Sequence, residues 1–267
     1  MSSERFLDDD RLTRSFLATG YFMFALLLVT AAVALVDARM LNGVNIWWKP
    51  LKFDFSIMLH AFTLAVLAQQ LERRFRNGAV MGIVGFLFVL AAVFETIYIS
   101  VQAMRGRHSH FNFETVPEQI LYALMGVGAI LLIAAPFVMG VRLIFQRTDE
   151  KSGYRLGSIL GMTIGPVLTF FLAGYMSMSG SHYVNAPDAS DAGGIFLLGW
   201  SMQEADLRPA HFFALHLIQV APAAGFVFDR IAGPAARLLV WAVTLGTSAL
   251  SVGLFVRALS GQPVWPF

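Results

Sequence analysis

The chain has 267 residues, 57% of them hydrophobic and 13% charged, with a mean hydropathy of +0.66. That mixture is too apolar for a water-soluble domain and fits an integral membrane protein. Cysteine is absent, which excludes disulfides, thiolate metal sites and a cysteine nucleophile. The net charge of +2 is small and the basic residues gather at the ends of apolar runs, so a pI of about 9.1 speaks of membrane topology, with no nucleic acid partner.

Residues 1–14, MSSERFLDDDRLTR, are polar and mixed in charge. They read as a short cytoplasmic arm, because the apolar run after them is too long for a signal-peptide core and no A-x-A-like cleavage signal follows. Apolar runs then cover 15–37, 52–71, 79–104, 120–146, 156–178, 209–228 and 235–258. Each is near the roughly 20 residues that a bilayer requires, which predicts seven transmembrane helices in one all-α domain, 1–267. With the amino terminus inside, twelve of the 19 Lys and Arg residues fall on the cytoplasmic side, so the carboxyl terminus is expected outside. Trp47, Trp48, Trp200 and Trp265 then lie at the outer headgroup layer and Trp241 near the inner one. The lysines are Lys49, Lys52 and Lys151; none is in the seventh run, which excludes a rhodopsin-type retinal Schiff base there.

The inner links ERRFRNG, QRTDEKSGYR and DRIAGPAAR read as tight turns, while the outer links are longer. The longest spans 179–208 and is rich in Gly, Pro, Asp and Ser; its GIFLLGW stretch reads as an interfacial hairpin or short helix. Gly157, Gly161 and Gly165 recur every four residues in the fifth run and make a smooth strip, for packing inside the bundle or for a homo-oligomer seam.

Ionisable side chains inside spans call for a partner or a watery cavity. His60 is expected about 12 Å below the outer end of the second span, Glu95 about 13 Å below that of the third, and His216 about 10 Å into the sixth. Lys52, Ser56, His60 and Thr63 follow helical steps down one face; Glu95, Tyr98, Gln102 and Arg105 do the same on the next span; His216 and Gln219 are neighbours. An outward-opening polar cleft accounts for these stripes. Pro209 marks a helix start, and His211 and His216 are turned about 140° apart, so His211 belongs to the mouth and His216 to the interior.

Three readings follow. In the first, His60, Glu95 and His216 hold zinc, iron or manganese, with copper as a further option, and leave positions for water or substrate. Glu95, Tyr98 and Arg105 would then serve a hydrolase or oxidoreductase acting on a lipid-soluble or amphipathic substrate. Ser56, Gln102, His110, His182, His211 and Gln219 would surround the ligands or line the mouth, and Arg105 and Arg107 would hold an anionic headgroup or carboxylate. In the second, His60 and His216 ligate a haem b in an electron-transfer protein. In the third, His60 and Glu95 form a structural pair or proton relay in a transporter or receptor, with His216 bonded to Gln219 or to a neighbouring helix.

RGRHSHFN, with His108 and His110, reads as a solvated outer loop or a copper-binding cap, and Met176, Met178 and His182 as packing or soft copper ligands. NIWWKPLKF reads as an interfacial anchor. SIMLH, Ser56 to His60, resembles the Ser-x-x-x-His element of the seven-helix ceramidase and adiponectin-receptor superfamily, which implies a zinc hydrolase or a relative of one. The resemblance covers one helix turn. The third span here carries Glu95 in place of that family's Asp, and the seventh lacks its His-x-x-x-His pair, so the chain is not assigned to it. The first reading leads, in a bacterial inner membrane with the site facing the periplasm.

Overall fold

A computed structural model describes residues 7, 10–186, 189–195 and 198–264. Its helices are α1 Arg11–Val36, α2 Trp48–Leu67, α3 Arg73–Arg76, α4 Ala79–Met104, α5 Val116–Phe145, α6 Gly153–Met178, α7 Arg208–Ile231 and α8 Ala236–Leu259. All but the four-residue α3 are long and apolar enough to cross a membrane, in agreement with the seven expected spans. Two short strands, β1 Met40–Leu41 and β2 Val44–Asn45, flank a turn in which Asn42 and Gly43 take φ of 53° and 81°. Trp265, most of the expected 1–14 arm, and Phe196 and Leu197 within GIFLLGW lie outside the described residues.

Several helices begin three or four residues before their apolar run, because polar side chains satisfy the free amides of the first turn. Asp10 accepts from the Thr13 amide at 3.0 Å, Thr115 from the Glu118 amide at 3.4 Å and Ser152 from the Arg155 amide at 3.1 Å. Ile195 donates to the Trp200 carbonyl at 2.9 Å, which brings those two residues of GIFLLGW together.

The chain packs as two compact units, Met1–Arg39 with Asn45–Gln146, and Met40–Val44 with Arg147–Phe267. In the first, α1 lies along α2 and α4 along α5, around an interior that includes Met23, Ile57 and Ala92, with Leu132 against them. Phe16 and Phe88 are fully buried there and meet edge to face at 5.1 Å. At one end Arg76 pairs with Asp10 at 2.7 Å, both buried, and ties α3 to the start of α1.

In the second unit α6, α7 and α8 pack together, α6 and α7 most closely. The glycine strip explains this. Gly157 faces the backbone of Ala221; a methyl at Gly161 would stand 2.5 Å from the Leu217 carbonyl, and one at Gly165 3.2 Å from that of Ala214. Gly225 meets the Gly153 backbone in the same way. The strip is thus laid against α7 of its own chain. Asp229 completes the seam by accepting the Gly153 and Tyr154 amides at 2.6 and 2.8 Å, capping α6 from α7.

Candidate functional site

In the first unit, His60 of α2 lies twelve residues beyond Trp48, about 18 Å along a helix that begins before its apolar run. Its Nε2 stands 3.3 Å from the Leu132 carbonyl of α5. A carbonyl only accepts, so Nε2 carries the proton. The reason this carbonyl is open is local: its helical partner would be the amide of residue 136, and Pro136 inside α5 has none. His60 supplies the missing donor, and its ring lies 5.7 Å from that of Phe88.

Glu95 of α4 is 2% exposed, and its Oε1 has no hydrogen-bond partner. Gly128 of α5 makes room for it: a methyl there would stand 2.7 Å from Oε1. Gly128 and Leu132 are four residues apart, so Glu95 and His60 meet one face of α5 about 6 Å apart along its axis. The charge on Lys49 also reaches Glu95.

Above Glu95 the expected stripe becomes a hydrogen-bonded line. Gln102, fully buried, donates to the Tyr98 hydroxyl at 2.8 Å, and Arg105, about half exposed, donates to the Gln102 carbonyl oxygen at 3.0 Å. Arg105 approaches Glu118 of α5 at 3.5 Å and Arg107 pairs with it at 2.9 Å. The guanidinium of Arg107 is raised above its ordinary value by that bond. Both arginines expected to hold an anionic headgroup or carboxylate converge on the buried Glu118 carboxylate of the same unit.

The RGRHSHFN segment is exposed from Arg105 to His108 and folds down beyond it. Ser109 and Asn112 are buried, and the His110 ring lies 5.5 Å from Phe53 and 6.1 Å from Tyr122. Along α2 only His60 of the Lys52, Ser56, His60, Thr63 stripe is buried, and the Thr63 hydroxyl returns to the Leu59 carbonyl at 2.7 Å.

In the second unit, His216 of α7 donates through Nδ1 to the Gln219 side-chain oxygen at 3.2 Å and packs on Phe212 at 4.2 Å. His211, one turn into α7, has its Nδ1 buried without a partner. At the mouth of α7 stands a network that apolar periodicity does not reveal. Arg208 pairs with Asp191 at 2.7 Å and Asp206 at 2.8 Å, and donates to the Tyr183 hydroxyl at 2.8 Å. Tyr183 in turn donates to Asp191 at 2.8 Å, Asn42 donates to the other Asp191 oxygen at 3.0 Å, and His182 approaches Asp191 at 3.4 Å. Burial opposes ionisation of Asp191, but His182, Arg208 and Tyr183 outweigh it and hold the carboxyl well below the usual range. Burial lowers the His182 imidazole, against the pull of Asp191, and raises the Tyr183 phenol. Of the Met176, Met178 and His182 set, Met178 is 83% exposed while His182 turns to Asp191.

His60 and Glu95 thus belong to one unit and His216 to the other. Among the described residues no group of three or more His, Asp or Glu stands where it could hold a metal ion. A reading of the sequence alone does not single out Asp54 and Glu118, or Gly128 and Pro136 beside the polar side chains, in the first unit, nor Asp191, Tyr183, Asp206 and Arg208 in the second. Asp54 was within reach of that reading, as an acid inside an apolar helix. The loop residues required the fold. Compared with known protein families, curated proteins and solved structures, the chain matches none.

Proposed function

We propose that the chain is a membrane protein with its amino terminus in the cytoplasm that binds a proton at Glu95 in the course of proton-coupled transport. The twelve inner basic residues support that orientation. A bacterial inner membrane is the proposed setting, with the Arg105 end of α4 toward the periplasm.

One observation carries the reading: a buried carboxyl with an unpartnered oxygen lies at the foot of the line Tyr98, Gln102 and Arg105, which leads to the exposed end of α4. An ionisable group kept in a membrane interior is expensive and points to use, and a proton is the occupant that needs no further ligand. Tyr98 and Gln102 can both donate and accept, so they can pass hydrogen bonds between the carboxyl and the helix end. This reading is preferred to a metal-dependent hydrolase or oxidoreductase, and to haem ligation, because His60 Nε2 and His216 Nδ1 already bond to Leu132 and Gln219.

The test is a pH jump on protein reconstituted on a solid-supported membrane, which needs no knowledge of the transported solute. A transient charge displacement is expected as protons bind, abolished in Glu95→Gln and slowed in Gln102→Leu. An undiminished transient in Glu95→Gln would overturn the proposal.

A further inference from the structure

A second carboxyl is enclosed in the first unit, and neither the Glu95 line nor the His60 contact uses it. Asp54 is 0% exposed and Thr30, facing it from α1, is 4% exposed. Thr30 Oγ1 donates to Asp54 Oδ2 at 2.9 Å, whereas Oδ1 is buried with no partner. Both residues lie six positions from the nearby helix end, Val36 for α1 and Trp48 for α2, which places the pair about 9 Å inside both. We infer that Asp54 is a proton-binding site built between α1 and α2, occupied as the neutral acid, with the proton on Oδ1 and Oδ2 accepting from Thr30.

The argument is one of charge and partners. An aspartate ion here would have one hydroxyl donor and no paired cation. Ions removed from water need a countercharge or several donors, and an isolated buried carboxyl sheds its charge by taking a proton. The ionisable groups on the surrounding elements are otherwise engaged. On α2 itself, His60 turns to Leu132. Lys49 sends its charge toward Glu95 of α4, and Glu95 faces Gly128. Lys52 also lies on α2, and neither lysine takes up Asp54 Oδ1, which is buried with no hydrogen-bond partner. Beyond the end of α1, Asp37 is held by Arg39 and the Trp47 indole. The acid form leaves one unpaired O–H, a smaller penalty than an unpaired ion. Release of the proton would demand a new partner between α1 and α2, so occupancy of the site is linked to how these two helices pack. The inference stands without Glu95.

Infrared difference spectroscopy of the full chain in lipid, at neutral pH and with deuterium exchange, reads this directly. A protonated-carboxyl C=O band is expected that is lost in Asp54→Asn, moves in Thr30→Val as its hydrogen bond is removed, and persists in Glu95→Gln. If Asp54→Asn fails to fold, the Thr30→Val shift still decides. The inference is overturned if every protonated-carboxyl band survives Asp54→Asn, or if none moves in Thr30→Val. Because Glu95→Gln is read separately, failure at Glu95 and failure at Asp54 give different spectra.

Discussion

His60 repairs the gap that Pro136 opens. The proline deprives the Leu132 carbonyl of its helical donor, and an imidazole 72 residues earlier in the chain takes that place at 3.3 Å. The two residues should therefore be coupled in stability. His60→Ala is expected to destabilise by about 1–3 kcal/mol by orphaning a buried carbonyl. In a Pro136→Ala background, where the helical amide returns, most of that loss should disappear. Reversible unfolding in mixed micelles across the double-mutant cycle measures the coupling, and equal losses in both backgrounds would refute it.

Gly128→Ala should destabilise by about 1–3 kcal/mol through overpacking, since its methyl would stand 2.7 Å from Glu95 Oε1. Shortening the facing side chain relieves the crowding. The loss should shrink in a Glu95→Ala background, and unfolding of the two double-mutant pairs tests it.

The spans were legible in the sequence because a run of apolar residues must either cross a bilayer or be buried, and all seven runs correspond to a helix. Helix starts were less so: Asp10, Thr115 and Ser152 are polar, yet each extends its helix beyond the apolar run by capping it. At the site, helical phase correctly aligned Tyr98, Gln102 and Arg105, and it made His216 and Gln219 neighbours. Phase within one helix says nothing about the helix opposite. That is why the role of Pro136 for His60, of Gly128 for Glu95 and of Thr30 for Asp54 emerged only from packing. The Arg208 network is further still from sequence, since its members are gathered by a loop without period.

Gly157→Ala should be far more damaging than Gly246→Ala. The first methyl would be driven into the backbone of Ala221, whereas the second meets nothing within 4 Å. Expected effects are a loss of about 1–3 kcal/mol or more for Gly157→Ala and a gain of up to about 1 kcal/mol for Gly246→Ala from helix propensity. Thermal unfolding in detergent distinguishes them, and comparable midpoints would contradict the seam.

Acidification should loosen the loop that Arg208 anchors. His182 is held below its ordinary value, about 6.5, so the unfolded state binds the extra proton first and stability falls as the pH drops below that value. Asp191, also lowered, contributes stability that is complete above the ordinary aspartate value of about 3.9 and is lost as the pH falls through its folded value. Amide exchange of residues 181–184 and 199–206 should speed up in two stages on acidification. Faster exchange on raising the pH from 5 to 8, after correction for intrinsic rates, would count against the network.

The α6–α7 seam also sets an order of events during synthesis. Its two halves are separated by the longest link between the helices, 179–207, so α6 must enter the bilayer and wait while that whole segment is made before its partner arrives. Waiting is tolerable because a lone helix satisfies its own backbone, even with a bare glycine stripe turned to lipid. Until α7 emerges, lipid tails occupy the place of Ala221 and Leu217, and the last step of assembly is their displacement.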